Sequence, residues 1–296
     1  MNTVSVAVPR KGRPLEAVLE RFARDAPEPV VDSADHVVST LRYEKSVTKG
    51  KNQPEGSVYD RLARYSDPDS PHEPEFTLLR DARPGTPRRI VFDSLTLPFG
   101  GQQVRLVGRE EPFRALRKHE FALGFDSADL VLEEVVGITD EPLSELAQVN
   151  ERIDPVDTDV RVVDGLGDTV HHTLLATPRT FDESPLDREF LAEYEGSLCI
   201  SPRYERLVEA VLGTRALDGI EFTYPDDDGR EEEAAIAETG AGVYLTVTGS
   251  TAREHGLVVG ERLFPSETVL LQNEAEASEG SRRVLEALFP TPEAIA

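Results

Sequence analysis

Tryptophan is absent from this chain of 296 residues, and cysteine and methionine occur once each. A lone Cys199 excludes an internal disulfide framework and a zinc site built on several cysteines. Lysine is also scarce, at five of the 32 basic residues, and acidic residues number 56, for a net charge of −24. So acidic a chain lacks the basic footprint that phosphate backbones need, and no nucleic-acid partner is expected. No apolar run approaches the ~20 residues of a membrane span. The start, "MNTVSVAVPRKGRPLEAVLE", lacks the features of a secretory signal. A soluble, cytoplasmic protein without membrane contact is expected.

What is present is a core former. Hydrophobic residues make up 39% of a chain long enough for two ordinary domains. Hydrophobic periodicity runs nearly throughout, which argues against disorder. The charge then reads as adaptation to high salt, where carboxylates keep the surface hydrated and ions screen their repulsion. "VSVAVPRKGRPLEAVLERFARDA" predicts a strand over residues 4–8, a loop over Pro9–Arg13, and a helix from about Leu15. Residues 44–85, rich in Lys, Gly, Pro, Asp and Ser, read as an insertion or long loop. Residues 88–107 predict two strands about a Phe-Gly-Gly turn, and "PFRALRKHEFALGF" a helix then a buried strand. "SADLVLEEV" predicts a short helix. A Pro- and Asp-rich patch at 179–189 reads as a crossing into a second domain, with a strand–helix–strand unit over 197–225. "RLFPSETVLLQ" predicts one last strand, and a final helix ends near 289. Strands and helices alternate throughout, so the class is α/β.

Within "GVYLTVTGSTAREHGL", Val243, Leu245 and Val247 alternate as in a half-buried strand, and Thr248, Gly249, Ser250 and Thr251 turn the chain into a polar helix. Backbone N–H groups at such a corner lack internal partners and can cradle an anion, phosphate above all; a simply capped turn is the plainer reading.

Four segments in order resemble the catalytic part of ATP phosphoribosyltransferase, which opens histidine biosynthesis. They are "VAVPRKGRPLE", "FRALRKHEFALGFDSADLVLEE", "LLATP" with "LCISPRYERLVEAVL", and "LTVTGSTAREHGLVVGERLFPSETVLLQN". The resemblance covers most of the chain except roughly 44–95, and matches the short form without the C-terminal regulatory domain. It implies two α/β domains of the periplasmic-binding-protein type (type II) with the ligand in a cleft between them. The chain would cross twice, giving a first domain of 1–178 plus 252–296 and a second of 179–251. It further implies that Thr248, Gly249, Ser250 and Thr251 hold the 5′-phosphate of phosphoribosyl pyrophosphate. Lys11 and Arg13, beside Gly12, and Gly124 would serve the pyrophosphate or nucleotide. Mg²⁺ would accompany the pyrophosphate, with no protein-only metal site.

The pattern departs from the family in places. The family carries acidic residues in the strand leading to the phosphate loop, where this chain has Gly240 and Tyr244. The motif Gly-x-x-Gly-x-Asp becomes "GFDSAD", keeping Gly124 and Asp129 with Ser127 at the second glycine. "GDTVHH" replaces a further family segment, Asp-Phe-Gly-x-Cys-Arg. Glu231, in "GREEEAA", matches an upstream family glutamate, so Glu231 and Asp129 are the candidate catalytic carboxylates, with Asp126 an alternative. Lys45, Lys49 and Lys51 cluster in "KSVTKGKNQPEG" and read as a surface loop or, more sharply, a flap over a phosphate-bearing ligand. His171 and His172, neighbours on a predicted strand, point to opposite faces and cannot share a metal without a bend.

The leading expectation is a glycosyltransferase condensing phosphoribosyl pyrophosphate with ATP. The alternatives are a paralogue with another acceptor, a non-catalytic sensor of a phosphorylated metabolite, and a ligand binder without phosphate chemistry. A homo-oligomer or a regulatory partner subunit stays open.

Overall fold

Val6, Ala7 and Val8 are all fully buried because their strand runs through the middle of a seven-stranded sheet. The computed structural model describes residues 3–24, 26–67, 70, 72–80, 88–181, 185–225 and 231–290. Among these the strands are β1 (Thr3–Pro9), β2 (Glu75–Arg80), β3 (Arg88–Phe99), β4 (Gln102–Arg109), β5 (Leu123–Ser127), β6 (Val160–Gly165), β7 (Val170–Ala176), β8 (Gly196–Ile200), β9 (Ile220–Thr223), β10 (Ala241–Thr246), β11 (Val258–Ser266) and β12 (Thr268–Asn273). The helices are α1 (Gly12–Ala23), α2 (Glu28–Thr48), α3 (Val58–Tyr65), α4 (Pro112–Arg117), α5 (Ala128–Glu134), α6 (Arg188–Glu193), α7 (Glu205–Leu212), α8 (Glu232–Thr239), α9 (Ser250–Glu254) and α10 (Glu279–Leu288).

The chain divides into two compact α/β units. One holds Met1–Asp126, Asp159–Asp168 and Thr268–Ala296; the other holds Ser127–Thr158 and Thr169–Glu267. These bounds differ from the expected 179–251. The chain passes between units four times, not twice, and no passage lies in the Pro- and Asp-rich patch, of which 182–184 are outside the described residues. One passage falls within β5 and another between β11 and β12, where continuous strand pairing leaves no compositional mark.

In the first unit the sheet order is β2-β3-β4-β1-β5-β12-β6. β1 pairs parallel with β4 and β5, whereas β3 and β4 form an antiparallel hairpin about Gly100 and Gly101, both at positive φ as a tight turn requires. Leu15, Val18, Leu19 and Phe22 of α1 pack into its core, as their spacing predicts. The expected long loop at 44–85 is corrected. Residues 44–48 close α2, residues 58–65 form α3, and β2 extends the sheet edge, while 68, 69, 71 and 81–87 lie outside the described residues. Val58, Leu62, Tyr65, Phe76 and Leu78 pack on the core, which is the reason this stretch is ordered structure.

The second unit carries a five-stranded sheet, β11-β7-β10-β8-β9. β7 runs antiparallel to both β10 and β11, and β10, β8 and β9 are mutually parallel along the order. "RLFPSETVLLQ" therefore supplies two strands in two sheets, not one. Leu175, Cys199, Ile236, Ala252 and Leu257 form a core cluster beneath α8 and α9. No described helix is long and apolar enough to cross a membrane.

Candidate functional site

β10 ends at Thr246, and the chain turns through Val247–Gly249 into α9. Gly249 has φ 71° and ψ 21°, the left-handed conformation, which a side chain would strain. A Cβ there would also lie 2.7 Å from Val259 Cγ2. Thr248 Oγ1 accepts from Ser250 N at 3.4 Å, and Arg253 Nη1 donates to the Thr248 carbonyl at 2.8 Å, bracing the turn. Thr248 and Ser250 are exposed, and the first-turn amides have no carbonyl four residues back within the helix. The turn thus offers hydroxyls and amide hydrogens to one anion.

Glu231 precedes α8 and accepts from, or pairs with, His255 Nε2 at 2.8 Å; its side chain is 65% exposed. His255 closes the far end of α9, so Glu231 lies within the same unit as the loop. Gly240 ends α8 at φ 110°, and a Cβ there would sit 2.9 Å from Thr180 Oγ1. Its carbonyl accepts from Thr177 N and Thr180 Oγ1, so this backbone, and not a ligand, dictates glycine. Tyr244, in the second family acidic position, is half-buried on β10. Desolvation, reinforced by the glutamates at 231–233, pushes its phenol up to about 12, which keeps it a neutral hydroxyl.

Asp129 is buried, 5% exposed, in the first turn of α5. Its Oδ1 meets His172 Nε2 at 3.1 Å and its Oδ2 accepts from Ser266 Oγ at 2.9 Å. His172 is 1% exposed and packs edge-on against Tyr204, ring centroids 5.0 Å apart. Burial first, then the Asp129 charge, pushes the Tyr204 phenol up to about 12. His171 is only partly buried, with its pKa lowered by desolvation and by Arg262, in line with opposite faces for the two histidines.

Lys11 and Arg13 flank Gly12, whose φ of 79° lets the chain turn from β1 into α1. Lys11 Nζ is 3.7 Å from Glu110 Oε2. Arg13 bonds the Asp168 carbonyl, and its Nε lies 3.6 Å from Asp168 Oδ2. Asp168 in turn accepts from Thr268 N at 2.8 Å and Thr268 Oγ1 at 2.9 Å. Gly124 is buried in β5, where a Cβ would meet Leu116 Cδ1 at 2.5 Å and the Ala7 carbonyl at 3.1 Å; its smallness serves packing. Asp126 Oδ2 accepts from Phe113 N at 2.9 Å at the start of α4. The structure thus brings together Thr248–Thr251 in one turn and Lys11 with Arg13 in another, each within its own unit.

Asp168, His172, Tyr204 and Ser266 are the residues that sequence reasoning missed as partners. Asp168 and His172 share the segment "GDTVHH", but each of the four lies tens of positions or more from the residue it meets, so no local pattern links the partners. Among the described residues no three His, Cys, Asp or Glu side chains form a metal-holding group.

A protein-family model described as halobacterial ATP phosphoribosyltransferase matches residues 1–294. A comparison with curated proteins finds no match. Among solved structures the chain is similar to an ATP phosphoribosyl transferase (HisG:HisZ) complex from Thermotoga maritima, with 12% identity over 96% of this chain and 93% of that one, at a TM-score of 0.43. It is also similar to the periplasmic VFT2 domain of Bordetella pertussis BvgS, with 13% identity over 66% of this chain and 72% of that one, at a TM-score of 0.33. An ancestral arginine-binding protein bound to arginine shares 13% identity over 64% of this chain and 74% of its own, at a TM-score of 0.36.

Proposed function

The chain belongs to the halobacterial ATP phosphoribosyltransferase family, and from that premise we propose that it transfers the phosphoribosyl group of phosphoribosyl pyrophosphate to ATP. The carbon–oxygen bond to pyrophosphate breaks, and a bond from the ribose carbon to a ring nitrogen of ATP forms. The observation that carries the reading is the Thr248–Thr251 turn, with Gly249 left-handed and hydroxyls on either side, in the second unit. It would hold the 5′-phosphate, while Lys11 and Arg13 would meet negative charge on the leaving group. Mg²⁺ fits as a group carried by the pyrophosphate, since such ions keep waters and need only one or two protein carboxylates. Glu231 is the exposed carboxylate able to contribute. Tyr244 supplies a neutral hydroxyl where the family has an acid, so its part is hydrogen bonding, not proton removal. Asp129 is engaged by two buried partners and would position α5. A cytoplasmic location goes with this reading, since ATP is made and spent inside the cell. The printed complex of the Thermotoga maritima relative motivates a partner subunit or oligomer.

The test is calorimetric titration with Mg²⁺–phosphoribosyl pyrophosphate, wild type beside Ser250→Asp, followed by ATP and assay for phosphoribosyl-ATP and pyrophosphate. Binding abolished by Ser250→Asp, with product formed by the wild type, is expected. Binding without product favours the sensor reading, which the loss of the family acids at Gly240 and Tyr244 already motivates. No binding overturns the proposal.

A further inference from the structure

Of the chain's six histidines, His119, His172 and His255 each meet a carboxylate, at 3.0, 3.1 and 2.8 Å. His36 and His72 do not, although both line a cavity of about 530 Å³ in the first unit that is also lined by Asp32 and Glu73. Asp32 and His36 lie one turn apart on α2, and His72 and Glu73 adjoin just before β2. All four are exposed, and none has an ion-pair or hydrogen-bond partner for its side chain among the described residues.

The cavity opens where the sheet edge steps back. β2 pairs with Arg88–Ser94 of β3, so β3 runs on past the end of β2 through Leu95–Phe99. Val30, Leu97 and Pro98 supply the apolar part of the wall. Gln103, at the start of β4, adds a buried Oε1 that accepts no hydrogen bond among the described residues. Buried acceptors are seldom left so, and this one calls for a donor. No described lysine or arginine lines the cavity, and Arg105, two residues on from Gln103, donates to Ser94 Oγ at 3.3 Å.

The wall thus carries two carboxylates, two imidazoles and an amide oxygen, all able to accept, with no cation among them. A positively charged guest with several N–H donors satisfies such a wall. A metal ion does not fit, because among the described residues no three His, Cys, Asp or Glu side chains form a metal-holding group. The volume of about 530 Å³ instead falls in the roughly 300–1,000 Å³ range of small-molecule pockets. The carboxylates and imidazoles form two pairs on two segments of chain, which suits a guest with a cation at each end.

We propose that this cavity binds a short alkyl diamine. One ammonium group meets Asp32 and His36, the other meets Glu73 and His72, and one of them also donates to Gln103 Oε1. The alkyl chain covers Val30 and Leu97. The site is independent of the transferase reading. Gln103 pairs with Thr3 and Arg109 with Pro9, so the cavity lies at the far end of β1 from Lys11 and Arg13, roughly 20 Å away.

The test is calorimetric titration of the full chain with putrescine and, separately, with butylamine, which has one ammonium group. A chain of net charge −24 attracts any diamine to its surface, so the control must match the charge removed. Three proteins are compared: wild type, Asp32→Asn/Glu73→Gln, and Asp35→Asn/Glu221→Gln, which removes two exposed carboxylates outside the cavity. All four substituted residues are exposed, so both variants are expected to melt with the wild type. The expected result is saturable putrescine binding that weakens at least tenfold in the cavity variant and is unchanged in the control. The ring resonances of His36 and His72 are expected to shift on titration while those of the other histidines stay. Equal weakening in the two variants overturns the proposal in favour of general surface attraction. Equal binding by wild type and the cavity variant, or no saturable binding to wild type, also overturns it. Butylamine binding as tightly as putrescine overturns the two-ended guest.

Discussion

Asp129 and His172, both buried, face each other at 3.1 Å between α5 and β7, and Ser266 of β11 closes on the other carboxylate oxygen at 2.9 Å. Ser266 Oγ donates to Oδ2, and with Oδ1 as the acceptor the imidazole Nε2 is the donor. Asp129→Ala leaves two buried donors unsatisfied, each costing about 1–3 kcal/mol. A loss of at least ~2 kcal/mol in denaturant-unfolding stability is expected. Asp129→Asn keeps an acceptor oxygen and loses less. If Asp129 instead touches substrate, the Asn variant retains stability and loses turnover, a pattern that steady-state kinetics beside unfolding curves resolves.

Substitutions in the phosphate turn separate conformation from charge. Gly249→Ala places a side chain at φ 71° and against Val259, so a stability loss of about 1–2 kcal/mol is expected. Ser250→Asp puts an acid in the first turn of α9, where the helix end favours negative charge, and is expected to melt with the wild type. Both variants lose phosphoribosyl pyrophosphate binding. Only in Ser250→Asp does that loss report the anion directly, and thermal unfolding beside calorimetry distinguishes the two causes.

Alkaline pH should unfold the protein through its tyrosines. Tyr65, Tyr204 and Tyr244 are each pushed up to about 12, burial being the largest cause in all three. A group whose folded pKa lies above its unfolded value contributes stability that is fully present below the unfolded pKa, here 10.0. That contribution disappears as pH rises from there through about 12. Tyrosinate absorbance is expected to rise together with loss of secondary structure, and Tyr204→Phe to move the transition to higher pH. Ionisation of all tyrosines before any unfolding would contradict this.

The charge of −24 predicts a salt dependence. Carboxylate self-repulsion opposes the compact state and is screened by ions. The melting temperature is expected to rise from dilute buffer to molar KCl. A flat or falling profile would remove the high-salt reading.

Much of the first unit was legible because its periodicity is local. Val6 and Val8 predict β1, the spacing of Leu15, Val18, Leu19 and Phe22 predicts α1, and the Phe-Gly-Gly turn predicts the β3–β4 hairpin. The end of α2 was hidden for the opposite reason. Its core face runs from Val30, Ala34 and Val37 into Thr40 and Glu44, so the apolar stripe gives out before the helix does. Glu44 is tolerated there only because Arg61 and Tyr65, on another helix, satisfy its carboxylate.

The sequence by itself determined the α/β class, the turn at Thr248–Thr251 and the family, since each rests on residues near one another in the chain or on their order. Tertiary structure alone decided which acids remain available. Asp129 is committed to His172 and Ser266, Asp168 to Arg13 and Thr268, and Gly240 to a backbone that admits no side chain. Burial and hydrogen bonding between residues distant in sequence set those commitments, and nothing in the local pattern of any one segment encodes them.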